Sequence, residues 1–177
     1  MGKSKSKPRS SCPVSISLEI FGDRWSLLII RDLMVRGFRT FKDFQQSGEG
    51  IASNILTDRL RRLRAAGMIT AESEKTDARK LNYRLTQKGI DLAPVLLDLL
   101  IWGARHEQTE APCAAIDQMA KKHQQVLAEV RRRWREHDST PLLPWLGGPA
   151  GAADKRVKTN RRKRNAIHGA GKSQQRQ

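Results

Sequence analysis

The chain has 177 residues, 38% hydrophobic and 29% charged, with 34 Lys and Arg against 18 Asp and Glu for a formal net charge of +16. That length suits one domain with extensions or two small ones. No apolar run reaches the roughly 18 residues needed to span a membrane, the basic residues 1–9 lack the apolar stretch of a secretory signal, and two cysteines, Cys12 and Cys113, make no disulfide framework. The expectation is a cytoplasmic protein, not membrane-bound, whose partner is a polyanion.

The charge is concentrated at the two ends. Residues 1–11 carry Lys3, Lys5, Lys7 and Arg9 with no acid, and residues 150–177 carry nine basic residues, including Arg161-Arg162-Lys163-Arg164, against Asp154 alone. Both segments are too poor in apolar residues to fold alone. They read either as solvating tails or as non-specific electrostatic contacts to nucleic acid.

Between the tails the fold class reads as mainly α with a small β-hairpin. Val14, Ile16, Leu18, Ile20 and Phe21 predict a short helix ended by Gly22. From Arg24 to Val35, apolar residues on nearly every side predict a helix buried on most faces and stopped by Gly37. Thr40 caps a short helix, 41–46, with Phe41 and Phe44 inward. A turn at Ser47-Gly48-Glu49-Gly50 leads to a helix of about 53–66, with Leu56, Leu60 and Leu63 on one face and Gly67 just past its end. Short helix, glycine-containing turn and amphipathic helix make the outline of a helix-turn-helix.

Residues 68–74 and 81–85 then predict two strands, the second alternating Leu81, Tyr83 and Leu85 with Asn82, Arg84 and Thr86. The basic tip between them is what a wing looks like. Thr86 is expected to cap a helix running to about residue 108, kinked at Pro94. Pro112 is expected as the first residue of a last helix, 112 to about 137, with Ile116, Met119, Val126, Leu127, Val130 and Trp134 at 3–4 spacing. The apolar faces of these two helices exceed what a small winged domain needs. A dimer interface and packing within the chain both account for the surplus. The organisation is a basic disordered tail at 1–11, a DNA-binding domain at 12–108, an additional amphipathic C-terminal helix at 109–139, and a Pro/Gly linker with basic disordered tail at 140–177.

With the leucines inward, the outer face of the second helix of the pair carries Ser53, Asn54, Thr57, Asp58, Arg61 and Arg64. A major groove admits one helix, whose N-terminal residues reach base edges. Asn can bond adenine with two hydrogen bonds, Ser and Thr can bond any base, and Arg61 can reach guanine or phosphate. Arg39 and Thr40 stand where phosphate contacts are made at the preceding helix N-terminus. Arg79 and Lys80 at the hairpin tip can enter a flanking minor groove or hold the backbone.

These residues carry a resemblance. Cys12-Pro13-Val14, Phe21-Gly22-Asp23-Arg24-Trp25, Leu27-Leu28-Ile29-Ile30-Arg31-Asp32-Leu33, Arg39-Thr40-Phe41, Gly50-Ile51-Ala52-Ser53-Asn54, Leu56-Thr57-Asp58-Arg59-Leu60 and Gly67-Met68-Ile69 resemble the HxlR family of bacterial winged-helix transcriptional regulators. Tyr83-Arg84-Leu85-Thr86-Gln87-Lys88-Gly89, Pro94-Val95-Leu96 and Trp102-Gly103 continue it in order. The resemblance covers about residues 12–107 and says little about the last helix or the basic tail. It implies a winged helix-turn-helix with C-terminal dimerisation helices, a homodimer, and inverted-repeat operators in double-stranded DNA. A repressor acting at the nucleoid is expected. The DNA-facing residues carried over are Arg39, Ser53, Asn54, Thr57 and Arg61, with Arg79 and Lys80 in the wing.

Some members of the family use an N-terminal Cys just before the Pro as a thiol sensor, and Cys12 matches that position. A quiet, half-buried thiol is the competing reading, since reactivity requires a lowered pKa and access. A small-molecule or oxidant effector is a further expected partner. Trp102 and Trp134 either line a pocket for it between the long helices or belong to the core. His106, His123, His137 and His168 form no metal-binding spacing, the cysteines form no CxxC, and there is no G-x-S-x-G or phosphate-cradling loop. The chain therefore reads as non-enzymatic, without metal or cofactor. The competing class is a non-specific architectural or RNA-binding protein that relies on its tails.

Overall fold

The computed structural model describes residues 10–74, 77, 79–143 and 145. Both proposed tails, apart from residues 10, 11, 140–143 and 145, lie outside the described residues, as do three positions near the hairpin tip. Among the described residues no helix is long and apolar enough to cross a membrane.

The first helix, α1 (Pro13–Phe21), opens on Pro13, whose missing N–H is one the first turn does not need. It buries none of its side chains. α2 (Arg24–Arg31) is capped by Asp23, whose carboxylate accepts from the backbone N–H groups of Trp25 and Ser26. It runs on as a π-helix, Asp32–Arg36, until Gly37 turns it off in the left-handed region at φ 75°. α3 (Phe41–Gln45) begins with a capping box in which Thr40 and Asp43 satisfy each other's backbone N–H. α4 (Ser53–Ala65) buries Leu56, Leu60 and Leu63, and Gly67 at φ 69° reverses the chain so that the Met68 N–H returns to the Leu63 carbonyl.

β1 (Ile69–Ser73) and β2 (Leu81–Leu85) pair antiparallel, Ile69 opposite Leu85 and Ser73 opposite Leu81. An isolated bridge from Thr40 to Asn82 lies on the other side of β2. The alternation expected of β2 holds, with Tyr83 and Leu85 buried. Tyr83 meets Phe44 edge-on at 6.0 Å. The core gathers Ile30, Phe44, Leu56, Leu63, Met68 and Ile90, each under 2% exposed or nearly so. The fold is thus mainly helical with one two-stranded hairpin, a winged helix-turn-helix as expected.

Two helices differ from expectation. Pro94 does not kink a long helix. Thr86 caps only α5 (Gln87–Ile90), a turn follows, and Pro94 then sits at the start of α6 (Ala93–His106), where proline is tolerated. The single last helix is two, α7 (Cys113–Lys121) and α8 (His123–Glu136), broken at Lys122, and Pro112 is the residue before α7 rather than its first. Their apolar residues Ile116, Met119, Leu127 and Val130 are buried within the chain. Packing within one chain therefore accounts for α7 and α8, whereas α6 keeps a second face, Val95, Leu99 and Trp102, exposed.

Candidate nucleic-acid interface

Three nearly unexposed leucines fix how α4 is turned, and so fix which residues it shows. Ser53, Asn54, Thr57 and Arg61 are all exposed on the opposite side. α4 has no side-chain cap: Ala52 precedes it, and the Asn54 carboxamide oxygen accepts from the Ile55 N–H at 2.9 Å. Thr57 donates its hydroxyl to the Ser53 carbonyl at 2.8 Å, which leaves its methyl and its oxygen lone pairs outward.

Arg61 is not an idle cation. Its Nη2 donates to Asp58 Oδ1 at 2.6 Å, while Arg59 and Arg62 reach Asp58 Oδ2 at 2.9 and 2.8 Å. The hydrogen bond from Arg61 and the surrounding guanidinium charges hold the Asp58 carboxyl below the ordinary carboxylate range. One acid thus orders Arg61 and Arg62 along the outer side of α4, while the half-buried Arg59 also reaches Asp23 at 3.0 Å. Exposed ion pairs of this kind are worth little and exchange readily for a phosphate.

Arg39 and Thr40 are used inside the fold. Arg39 donates from Nη1 to the carbonyls of Leu33 and Phe38 at 2.8 and 2.6 Å, closing the end of the π-helix. Burial, with Arg84 nearby, lowers its pKa from the usual arginine value. The Thr40 hydroxyl accepts from the Asp43 N–H, and the Asp43 carboxylate accepts from the Arg39 and Thr40 N–H groups at 3.0 and 2.8 Å. A carboxylate therefore occupies the helix end where a phosphate was expected.

Arg79 and Lys80 are exposed at the hairpin tip. The turn is held by the Lys80 N–H on the Asp77 carbonyl and the Glu74 N–H on the Lys80 carbonyl, both 2.9 Å. Cys12 is exposed at the head of α1 and donates its N–H to the Ser10 hydroxyl at 3.0 Å. Cys113 is exposed as the first residue of α7. The two tryptophans do not share a pocket. Trp102 is exposed with its ring 5.2 Å from that of His106. Trp134 is half-buried, and its indole N–H donates to the Leu85 carbonyl at 2.8 Å. The long helices border a partly open cavity of about 40 Å³, lined by Met34, Val35, Leu97, Met119, Leu127 and other apolar side chains together with Arg31.

Sequence reasoning missed the polar group beneath the helix pair. Asp32 and Arg36 are buried, 3.2 Å apart, with Arg31 on the same carboxylate oxygen at 2.7 Å. Arg31 also reaches Glu49, and Arg36 Nη2 donates to the Ser47 carbonyl, both at 3.0 Å. The guanidinium of Arg36 lies 4.4 Å from the centre of the Phe38 ring. The available signal was an acid and a base four apart inside an otherwise apolar helix.

The HxlR-like helix-turn-helix family matches residues 20–111. The HTH-type transcriptional regulator YdeP of Bacillus subtilis is 33% identical over 96 residues, 54% of this chain and 74% of YdeP. YybR of the same organism is 30% identical over 95 residues, 54% of this chain and 75% of its own. Among solved structures, PA1607 is 38% identical with a TM-score of 0.53, over 59% of this chain and 71% of that one. The redox regulator HypR in its oxidised form is 30% identical with a TM-score of 0.51, over 55% and 100%.

Proposed function

Since the chain belongs to the HxlR-like helix-turn-helix family and is thereby a DNA-binding transcriptional regulator, we propose that it acts as a homodimeric repressor in the cytoplasm, inserting α4 into the major groove of an inverted-repeat operator. The observation that carries this reading is the division of α4: Leu56, Leu60 and Leu63 locked in the core, and Ser53, Asn54, Thr57 and Arg61 outward on a helix that cannot roll. Asn54 and Thr57 read bases, and Arg61 leaves Asp58 for guanine or a phosphate. The wing, with Arg79 and Lys80, lies on flanking DNA. Arg39 and Thr40 support this surface from behind rather than forming part of it.

The dimer rests on a second observation. α1 exposes Val14, Ile16 and Leu18, and α6 exposes Val95, Leu99 and Trp102. Exposed apolar faces of this kind mark protein contacts, and a second copy offering the same faces covers them by a two-fold interface. Cys12 stands at the head of α1, so oxidation there acts directly on the dimer helix. The likeness to HypR, a redox regulator, supports a thiol switch.

In vitro selection of genomic fragments by the purified protein, with and without a thiol oxidant, tests both parts. An enriched inverted repeat is expected, lost on oxidation, restored by reductant, and insensitive to oxidant in Cys12→Ser. No enrichment in either state overturns the operator reading in favour of a non-specific binder. Enrichment indifferent to oxidant overturns the thiol switch alone.

A further inference from the structure

β2 has one edge on β1 and one edge turned away from it. Two distant segments take up that second edge. The Arg39 carbonyl accepts from the Tyr83 N–H at 2.7 Å, beside the Thr40–Asn82 bridge. Two residues on, the Leu85 carbonyl accepts from the indole N–H of Trp134 at 2.8 Å. Alternate residues of a strand offer their backbone groups to the same edge, so these two bonds close it together.

Trp134 lies in α8, outside the residues 20–111 that match the family. α8 and the segment after it are anchored in turn. The Asp138 N–H bonds the Arg133 carbonyl at 2.9 Å, and Arg133 Nη1 bonds the Thr140 carbonyl and hydroxyl at 2.9 and 3.0 Å. The Leu142 N–H bonds the Val35 carbonyl on the π-helix at 2.8 Å. Arg39, Leu85, Trp134 and Asp138 line one small cavity, so the two residues that hold the β2 edge and the segment after α8 meet there. A two-stranded hairpin is marginal alone, and its angle to α4 is set by whatever grips its base.

We infer that α7, α8 and residues 138–143 form a brace for the wing, and that Trp134 is a positioning residue for DNA binding, fixing the end of β2 so that Arg79 and Lys80 meet the flanking DNA. The inference rests on the reading that the wing touches DNA. The brace itself is a property of the free protein and is measured there.

Full-length Trp134→Phe keeps the ring and deletes the donor. Two readouts are taken: hydrogen exchange of the 81–85 amides in the free protein, and hydroxyl-radical footprinting on the selected operator. Exchange in β2 is expected to quicken roughly three- to tenfold, with flanking protection weakened and central protection by α4 kept. Unchanged exchange in β2 overturns the brace, whatever the footprint. Quickened exchange with flank and centre weakened alike makes Trp134 merely structural and overturns its positioning role. Quickened exchange where the wild type shows no flanking protection sinks the wing reading, and the positioning role with it. If Trp134→Phe does not fold, Arg133→Lys loosens the same brace by removing the fork that bonds the Thr140 carbonyl and hydroxyl, and the same outcomes decide.

Discussion

Arg36 donates from Nη2 to the carbonyl of Ser47 at 3.0 Å, and so joins the buried end of the α2 π-helix to the turn of the helix-turn-helix. The same guanidinium pairs with buried Asp32. The turn that aims α4 is therefore held from below by charge, where an apolar contact would not fix its direction. Widened helical turns of the π type recur at functional positions because they redirect a side chain within a continuous helix. Here the redirection brings Arg36 beneath the turn.

Arg36→Met keeps the volume and removes the charge. Breaking a buried pair from one side costs about 3–5 kcal/mol, and Arg31 still faces Asp32 in the variant, so a loss near about 3 kcal/mol is expected. Urea unfolding measures it. A loss below about 1 kcal/mol would mean that the buried pair contributes little and that the turn is held by packing.

Asp23 links stability to pH. Burial alone raises its pKa, but hydrogen bonds from the Ser26 hydroxyl and N–H, the Arg59 charge and the Trp25 N–H outweigh that and hold it below the usual carboxylate value. A carboxyl lowered in the folded state adds stability above its ordinary pKa, and that stability drains away as pH falls through the lower folded value. Because Asp23 is about a third exposed, its ion pair with Arg59 contributes no more than about 1 kcal/mol. Asp23→Asn keeps a good capping residue and loses the charge. Its melting temperature should fall below wild type at pH 7 and converge with it as pH drops from about 4 toward 2. A gap that persists at the acid end counts against the charge as its cause.

The double variant Asn54→Ala, Thr57→Ala alters only exposed positions of α4. It should fold with wild-type stability, lose the preferred operator and retain weak, salt-sensitive binding to any duplex. Two lost base contacts are worth about 1–3 kcal/mol each, together roughly thirtyfold to twenty-thousandfold in operator affinity, read by fluorescence anisotropy against a scrambled duplex. Wild-type affinity in the double variant would remove α4 from the groove.

Leu99→Glu places a charge at the centre of the exposed face of α6, where Leu99 is 47% exposed. Monomer stability should hold within about 0.5 kcal/mol, as for a surface substitution. Sedimentation should find a monomer where the wild type sediments as a dimer, and operator affinity should drop because one half-site is bound without its partner. A variant that remains dimeric places the interface elsewhere.

Much of this was legible in the chain. Leu56, Leu60 and Leu63 gave the facing of α4 directly, since spacing of three and four permits one inward side. Gly67 and Thr86 marked their turns because each meets a stated backbone need, a left-handed φ and an acceptor for the Gly89 N–H. The positions that misled are those where one residue type serves two ends. Pro94 breaks a helix or begins one, and only the short α5 before it decides. The packing role of Arg39 was hidden because its partners are the carbonyls of Leu33 and Phe38, and backbone acceptors leave no trace in side-chain pattern. The contact of Trp134 with Leu85 was out of reach for the same reason.

That contact spans 49 residues of chain, and this separation bears on synthesis. At about 5–20 residues per second, roughly two to ten seconds pass between translation of Leu85 and translation of Trp134. Until α8 arrives only the Arg39 end of the second β2 edge can be taken up, and its Leu85 end is left as the kind of surface on which strands of neighbouring chains pair. A ribosome that pauses between the wing and α8 would lengthen the exposure, and one that terminates there would make it permanent. α8 therefore closes the sheet edge only after the rest of the winged domain has been made.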